Sequence, residues 1–469
     1  MVPYKEFRSF FSNKHSRFWR TILHKTIIPI AEKPDKDLLL EEVDNEIETG
    51  KYIPEPPRGY LNINKGCGVV RRVPVFSVKS HCVYFFCTSY LEEKLAGNRT
   101  PLTYGGWTLG GNEIRRQEEE EYGGLSGGYK EFLKRYELPD GSLMSLVETG
   151  GYHIESSFNP DAWRIYWKKF YDQLYLVSRD YDYKWVAELD VANFYDSICI
   201  TKLINKIRAT VDTNDSYVVD LLETFLCHWR RDQVGYQDNT VGIPQDESGD
   251  CSRILANFFL RDYDSFVANE CMRHDSMYFR FADDQFIFCN SKEELREIIA
   301  RGSVFLNSIG LSLNQKKVRI FSPSEFDEHF AFDWFLDLDK RQEEEMMQLY
   351  KTNRQKTKNN GISQLLYLIQ MIKKIKTPKI KNEIIKLFFS DLQLDGAKIS
   401  CGHYQKIYDS LSEEKKASFV QKVSGLSEDY IHNIFHYTAL HFIEDNGLDA
   451  SVLKKRIAAL QKYFNDCKI

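Results

Sequence analysis

The chain has 469 residues, 42% of them hydrophobic and 28% charged, which is the composition of a globular protein with roughly two or three domains. Its net charge of −5 at pH 7 excludes a protein that coats nucleic acid through bulk positive charge, although a basic groove remains compatible with that total. No stretch approaches the roughly 18 apolar residues of a membrane span, and the N-terminus lacks the apolar core of a signal peptide. Ten single cysteines without a CxxC pair indicate reduced thiols, so we expect a cytoplasmic protein.

The first third of the chain predicts three different kinds of structure. Residues 1–55 are predicted to form a helix and an acidic linker, because the acidic run 41–46 precedes a proline-rich turn. Residues 60–90 mix β-branched and basic side chains, which favours strands with one buried and one cationic face. Residues 104–130 are rich in glycine around an acidic block, and they match no phosphate-binding template. A solvated insertion is therefore expected there.

The remaining chain changes character near residue 340. Residues 160–178 have helical apolar spacing, and short apolar strands then alternate with helical stretches as far as 322, which predicts an α+β domain. After 340 apolar residues recur at three- and four-residue steps, which predicts helices. Between 351 and 386 ten Lys or Arg residues accompany one acidic residue, Glu383. This basic cluster is typical of phosphate contact, but a solvated helix face explains it equally well.

Two segments place aspartates at the ends of apolar strands. The segment 185–191 reads as a strand that delivers Asp190 to a sheet edge, although a lone aspartate in this setting more often caps a helix or a turn. Asp283 and Asp284 separate two apolar segments, 277–282 and 285–288, and this predicts a hairpin with both carboxylates at its apex. Adjacent aspartates also simply favour turns, but crowded like charges are usually stabilised by a cation.

These segments belong to a series that resembles the palm of reverse transcriptases. Four stretches resemble motifs A to D in the family's order, at 188–198, 242–260, 279–288 and 310–318. The resemblance extends over about 60–322, more than half of the chain. It implies an α+β right-hand polymerase with fingers and palm of reverse-transcriptase type, followed by an all-helical C-terminal domain. The implied domains are an N-terminal helical segment and linker at 1–55, a fingers-like region with the glycine-rich insertion at 56–180, a palm at 181–325 and a helical thumb or C-terminal domain at 326–469.

The resemblance also implies a role for individual residues. Catalytic roles fall to Asp190, Asp283, Asp284 and Lys317, with Lys316 as the alternative lysine. Metal ligands would be Asp190, Val191, Asp283 and Asp284, holding two Mg²⁺ ions, with Mn²⁺ as the alternative. Nucleotide contacts would come from Arg71, Arg72, Lys79, Tyr195, Gln245 and Ser252. Tyr195 stands where the family places an aromatic gate against a ribose 2′-hydroxyl, which favours deoxynucleotides.

Two departures from the family pattern bear on what the enzyme copies. Asp246 follows Gln245 where the family usually has glycine, and Phe281 stands where tyrosine is common. A divergent motif B with a helical C-terminal region is most similar to bacterial defence-associated, abortive-infection-type reverse transcriptases. That resemblance implies DNA synthesis from dNTPs in anti-phage defence, templated by RNA or else untemplated or protein-primed. The implied partners are nucleic acid, either RNA or DNA, together with dNTPs. A noncoding RNA, a partner protein or a second copy of the chain are the further partners that the resemblance allows. An RNA-dependent RNA polymerase and a catalytically silent nucleic-acid-binding effector remain the alternatives.

Overall fold

The computed structural model divides the chain into two compact units. One contains Met1–Gly59 and Pro74–Pro323, and the other contains Tyr60–Val73 and Ser324–Ile469. The second unit therefore draws on two separate stretches of the chain, and the predicted fingers, palm and thumb boundaries stay predictions. The structure describes residues 6–11, 16–24, 26–30, 33–64, 69–96, 100–105, 107, 109, 170–171, 173–175, 177–179, 182–230, 242–245, 251–330, 342–354, 362–391, 399–429 and 433–466.

The N-terminal part of the first unit is helical. Its helices are α1 (Glu6–Phe10), α2 (Ser16–His24), α3 (Lys36–Glu48) and α4 (Val78–Ala96). The predicted acidic linker is wrong, because the run 41–46 lies within α3. The side chain of Asp35 caps this helix by accepting hydrogen bonds from the backbone N–H groups of Asp37 and Leu38. Leu40, Val43 and Ile47 form the buried stripe of the helix, and the acidic residues between them are exposed or half-buried.

The strands predicted across residues 60–90 are only partly correct. A two-stranded sheet contains β1 (Gly59–Asn64) and β2 (Val70–Val75), but the chain is helical from Val78 onward in α4. The residues at 78–88 of α4 are all buried, so the helix has no polar face whose period would distinguish it from a strand. Tertiary burial therefore hides the helical pattern in this part of the sequence.

The first unit is built around a mixed five-stranded sheet, as the α+β prediction for residues up to 322 requires. Its strands are β3 (Thr103–Tyr104), β4 (Trp185–Asp190), β5 (Met277–Phe281), β6 (Asp284–Cys289) and β7 (Arg319–Phe321). The strand order is β3-β5-β6-β4-β7, with β3 parallel to β5 and the other neighbours antiparallel. β4 is thus an inner strand, and Asp190 lies at its end rather than on an edge strand.

Helices of the first unit connect and cover this sheet. They are α5 (Phe194–Ser197), α6 (Ile200–Arg208), a 3-10 turn (Thr213–Asp215), α7 (Ser216–His228), α8 (Cys251–Arg273) and α9 (Lys292–Ile309). α8 packs against α4 and β5, while α9 packs against α8, β4 and β6. Because β5 is buried along its whole length, and β4 and β6 nearly so, the central strands form the core and carry their terminal aspartates on a rigid support. Residues 170–171, 173–175 and 177–179 are helical, as predicted.

Helix α10 (Pro323–Phe330) begins at the last residue of the first unit and continues into the second. Beyond β1 and β2, the second unit also contains the helices predicted after residue 340. These are α11 (Glu343–Asn353), α12 (Ile362–Gln370), α13 (Pro378–Asp391), α14 (Cys401–Asp409), α15 (Glu413–Asp429), α16 (Asn433–Asp445) and α17 (Ser451–Asp466). Two hydrogen bonds link α11 to α13, because Tyr350 and Arg354 both donate to the buried carboxylate of Asp391. Within the described part of the chain, no helix combines the length and apolarity needed to cross a membrane.

The basic cluster at 351–386 divides into paired and exposed side chains. Lys351 pairs with Glu383 at 2.6 Å, and Arg354 pairs with Asp391. The side chains of Lys374, Lys376, Lys379 and Lys386 are exposed. Among the described residues of the cluster, part of the basic charge pairs with carboxylates of other helices and part faces solvent, while Lys356 and Lys358 lie outside the described residues.

Candidate active site

Strand pairing brings the aspartates of two distant segments together. Asp190 at the end of β4 lies directly opposite Asp284 at the start of β6 in the antiparallel register. Asp283 occupies the turn between β5 and β6, as the sequence predicts. Residue 282 in this turn is an alanine with φ of 53°, a left-handed conformation that costs a side-chain-bearing residue roughly 1–2 kcal/mol. The fold therefore maintains a strained turn at the position where it presents Asp283.

Two neighbouring carboxylates act on the charge of Asp283. Burial, together with the nearby carboxylates of Asp284 and Asp190, raises the pKa of Asp283 to about 6. A backbone hydrogen bond and the ammonium of Lys317 act in the opposite direction, lowering that pKa. A site that disfavours the ionised form of its own aspartate favours any cation that reaches it. The electrostatics are those of a cation-binding site.

Asp190 is anchored by the segment that resembles motif D. The backbone N–H of Asn314 donates to the carbonyl oxygen of Asp190 at 2.7 Å, and the Asn314 side-chain amide donates to its Oδ1 at 3.2 Å. The ammonium of Lys317 donates to Oδ2 of Asp190 at 2.7 Å. Val191 pairs with Leu313 as an isolated bridge, and the backbone bonds of this bridge are donated by Ala192 and Asn314. Sequence reasoning missed Asn314, whose only signal was its position three residues before Lys317.

Tyr195 is held by the loop that begins motif B. The backbone N–H of Ile243 donates to the carbonyl oxygen of Tyr195 at 3.0 Å. Gly242 has φ of 81°, and a Cβ atom at this position would lie 2.5 Å from both the Tyr195 carbonyl oxygen and the Cα atom of Asp196. Only glycine permits this approach, so the loop docks on the backbone of the motif A turn. Gln245 is half-buried, and Asp246 lies outside the described residues.

The other predicted nucleotide-binding residues have partners within the protein. The hydroxyl of Ser252 is buried between the Tyr84 hydroxyl, at 2.6 Å, and the carbonyl oxygen of Pro244. Lys79 lies on α4 and forms ion pairs with Glu42 at 3.0 Å and Glu46 at 2.5 Å. These contacts give both side chains structural roles, and their nucleotide contacts stay predictions.

Arg71 and Arg72 lie in the second unit, on β2. Both are exposed, and the Arg72 guanidinium lies 4.2 Å from the ring centroid of Tyr60. Exposed guanidinium groups on a strand suit phosphate binding as well as solvation. Their role in gripping a triphosphate stays a prediction.

Sequence reasoning also missed a buried polar network behind the Asp283 turn. Arg280 on β5 and Asp264 on α8 have fully buried side chains and form an ion pair at 2.6 Å. An arginine between the aromatic residues of an apolar strand was the available signal, because a charged side chain is almost never fully buried unless it is paired. Its partner, 16 positions away on another element, is not evident from local pattern.

The donor atoms near the turn suit a hard cation such as Mg²⁺, which prefers carboxylate and carbonyl oxygens. Asp190, Asp283 and Asp284 carry such oxygens, and Val191, whose carbonyl is the other predicted ligand, directly follows Asp190. Among the described residues, no three His, Cys, Asp or Glu side chains are already arranged around one point. In this conformation both carboxylate oxygens of Asp190 are hydrogen-bonded, to Asn314 and Lys317. The donor chemistry fits a metal site whose side chains are not preset for it.

The comparison with known families supports a domain of the polymerase class, which transfers nucleotidyl groups. Residues 154–363 match the family described as "Reverse transcriptase (RNA-dependent DNA polymerase)", and this span includes all four motifs. The chain therefore contains a reverse-transcriptase domain of mixed α and β structure. Domains of this family generally use divalent metal ions and bind nucleic acid and dNTPs.

Comparisons of the whole chain with curated proteins and with solved structures add little to the family match. None of the curated proteins matches it. A solved structure similar to it is that of apo telomerase from Candida tropicalis, with 12% sequence identity and a TM-score of 0.31. That similarity covers 91% of this chain and 72% of the telomerase chain.

Proposed function

We propose that this chain is a DNA polymerase that adds dNTPs by two-metal phosphoryl transfer. The observation that carries the proposal is the register pairing of Asp190 with Asp284, beside Asp283 in the adjoining turn. Phosphoryl transfer needs carboxylates from separate elements meeting at one point, and the matched reverse-transcriptase domain contains these residues. Along the chain, residues 56–180 are assigned to the fingers, 181–325 to the palm and 326–469 to the thumb or C-terminal domain.

The residues divide the reaction between them. Asp190, Asp283, Asp284 and the carbonyl of Val191 would hold two Mg²⁺ ions, or Mn²⁺ ions. Bound there, these ions supply activation of the attacking hydroxyl and charge stabilisation of the leaving pyrophosphate. Lys317 donates the proton that pyrophosphate takes up, because its ammonium lies within this carboxylate cluster. Tyr195, fixed through its backbone by Ile243, packs against the sugar and excludes a 2′-hydroxyl.

The biological setting belongs to the same proposal. We place the protein in the cytoplasm, in anti-phage defence of the abortive-infection type, with synthesis that is RNA-templated or else untemplated and protein-primed. The divergence of motif B at Asp246 and the helical second unit support this assignment. Nucleic acid and dNTPs are the substrates, and a noncoding RNA, a partner protein or a second copy of the chain would be the further partners.

A direct test is incubation of the purified full chain with each labelled dNTP and Mg²⁺. The matched control is the Asp283→Ala, Asp284→Ala double variant, and parallel reactions use rNTPs and nuclease-treated protein. Label incorporated by the wild type alone is the expected result. Loss of product after nuclease treatment would indicate a nucleic-acid template or primer, and preference for rNTPs would favour an RNA polymerase instead.

One observation favours a second candidate, the catalytically silent nucleic-acid-binding effector. The carboxylate of Asp190 is occupied by Lys317 and Asn314 rather than turned toward a shared metal position. A silent effector predicts no incorporation of any nucleotide. It also predicts that protection against phage survives Asp190→Ala and Asp283→Ala, whereas the polymerase predicts that both substitutions abolish protection.

A further inference from the structure

The guanidinium of Arg280 connects three elements at the end of β5. Its Nε and Nη2 atoms donate to the two carboxylate oxygens of Asp264, at 2.7 and 2.6 Å. Its Nη1 atom donates to the side-chain oxygen of Asn257 at 2.7 Å and to the carbonyl oxygen of Ala282 at 2.8 Å. All three nitrogens are therefore used, in the planar fork geometry that only arginine provides.

The contact with Ala282 lies next to the functional aspartate. Ala282 has a left-handed backbone conformation, and Asp283 is the following residue. The carbonyl oxygen of Ala282 accepts a hydrogen bond from Arg280. The backbone N–H of Ala282 donates to the carbonyl oxygen of Tyr104 at 3.5 Å. An alanine remains in this disfavoured conformation only where its surroundings fix it. Both backbone polar groups of Ala282 are fixed here.

The partners of Arg280 are themselves held. Asp264 also accepts a hydrogen bond from the Tyr278 hydroxyl at 2.9 Å, and its side chain is fully buried. Asn257 donates to the carbonyl oxygen of Gly105, at the start of the glycine-rich segment. The network therefore joins α8, β5 and the chain after β3 behind one turn. A fully connected buried network rigidifies the elements that it joins.

We propose that Arg280, supported by Asp264 and Asn257, is a positioning residue that fixes the Ala282–Asp283 turn and so sets the carboxylate geometry for cation binding. None of the three is assigned a contact with nucleotide or cation. The inference rests on the proposed function, because the role of the turn is defined by the phosphoryl-transfer site. Groups that orient ligand-bearing elements in this way typically alter metal affinity or activity by about 10–100-fold when they are changed.

The test uses the full chain and two readouts. Binding of Mn²⁺ is followed by the loss of the free-ion electron paramagnetic resonance signal, and dNTP incorporation is measured against metal concentration. Arg280→Lys retains the charge but offers a single nitrogen, so it cannot hold Asp264 and Ala282 together. We expect it to weaken Mn²⁺ binding by about 10–100-fold and to raise the metal concentration for half-maximal incorporation similarly. The KM for dNTP should change much less, since no nucleotide contact is removed.

A matched pair separates positioning from general stability. Asp264→Asn weakens the Arg280 network, and Asp215→Asn weakens a buried cluster of similar chemistry in the same unit. Asp215 accepts hydrogen bonds from Lys94 and from the Tyr90 hydroxyl, the latter at 3.1 Å, in place of an arginine and Tyr278. Both variants should unfold at lower temperature. Only Asp264→Asn should weaken Mn²⁺ binding.

The possible failures are distinguishable. Mn²⁺ binding by Arg280→Lys and Asp264→Asn equal to that of the wild type would overturn the positioning role while leaving the polymerase intact. A wild-type chain that neither binds Mn²⁺ nor incorporates dNTP would overturn the proposed function and this inference with it. If Arg280→Lys fails to fold, the Asn257→Ala variant tests the positioning role instead. It keeps the Arg280–Asp264 ion pair and removes the hydrogen bonds that join Asn257 to Arg280 and to the carbonyl oxygen of Gly105. Unchanged Mn²⁺ binding in a folded Asn257→Ala variant would then overturn the proposal.

Discussion

The ammonium of Lys317 lies 2.7 Å from a carboxylate oxygen of Asp190, across 127 positions of sequence. Asp190 is nearly buried, with 6% of its side chain exposed, whereas the Lys317 side chain is 59% exposed. The carboxylate is therefore fixed by its strand, and the lysine is free to change position along its flexible stem. A cation held by Asp190 would compete with this ion pair, and in the proposed mechanism the ammonium of Lys317 would then be available to protonate the leaving pyrophosphate.

The contact with Asp190 favours Lys317 over Lys316 for the proposed role of proton donor. Lys317→Gln should lower kcat for dNTP incorporation by about 100-fold, the typical contribution of a positioned general acid, with little change in KM. Lys316→Gln is the matched control and should keep nearly full activity. The measurement is steady-state incorporation with both variants side by side. Equal losses in the two variants, or a larger loss for Lys316→Gln, would contradict the assignment.

The pKa of Asp283 predicts a pH-dependent response to Mg²⁺. That pKa is raised from 3.8 to about 6, so in metal-free protein this residue favours folding most at low pH, and the contribution is lost as pH rises through 6. Mg²⁺ competes with the proton for the same carboxylate. We expect the increase in Tm caused by Mg²⁺ to be small at pH 5 and larger at pH 7.5, measured by thermal unfolding.

The isosteric variant Asp283→Asn provides the control for this pH effect. It removes one of three mutually repelling charges, so the metal-free variant should unfold at a higher temperature than the wild type at pH 7.5. Its Tm should respond only weakly to Mg²⁺ at either pH. A response to Mg²⁺ that is the same at both pH values in the wild type would argue against Asp283 as a ligand.

Gly242 should tolerate no side chain. Gly242→Ala places a Cβ atom 2.5 Å from backbone atoms of Tyr195 and Asp196, in addition to the strain of φ at 81°. We expect a loss of about 3 kcal/mol in unfolding free energy, or a displaced loop with strongly reduced incorporation. Gly50→Ala has the same sign of φ, at 66°, but no atom within 4 Å of its Cβ position, so it should cost only about 1 kcal/mol. Chemical denaturation of the two variants measures the difference, and similar losses would contradict a close approach at Gly242.

Tyr195 should decide between the two classes of nucleotide. Tyr195→Ala removes the ring that excludes a 2′-hydroxyl, so rNTP incorporation should rise relative to dNTP incorporation by at least about 10-fold. The neighbouring Phe194→Leu substitution preserves apolar volume in a buried position and should leave the ratio unchanged. Competition between labelled rNTP and dNTP measures the ratio. If the ratio of rNTP to dNTP incorporation is unchanged in Tyr195→Ala, Tyr195 is not the residue that excludes a 2′-hydroxyl.

The sequence predicts the strands of the site well, because their signal is local. The segments ending at Asp190 and flanking Asp283 are mostly apolar, and they form inner strands buried along nearly their whole length. Burial misleads at 78–88, where every residue of a helix is buried and the sequence resembles a strand. The acidic run 41–46 is the opposite error, because a segment predicted to be a linker is helical. The signal was Asp35, whose side chain caps the start of that helix.

Contacts between distant elements could not be predicted in this way. Arg280 meets Asp264 and Asn257 only once α8 packs on β5, and Lys79 meets Glu42 only once α3 packs on α4. A charged residue in an apolar strand shows that a partner exists without showing which one. Such pairings depend on tertiary packing rather than on local spacing.

The two-residue strand β3 covers the edge of strand β5 in the five-stranded sheet. Strand β5 is buried, rich in aromatic residues and would otherwise end the sheet with unpaired backbone groups. Backbone N–H groups of Arg280 and Ala282 instead donate to the carbonyl oxygens of Leu102 and Tyr104. An exposed strand of this composition is a template for intermolecular pairing, which proteins avoid by covering the edge. A deletion that removes residues 100–105 would therefore convert a covered edge into a self-associating one, even though it leaves Asp190, Asp283 and Asp284 in place.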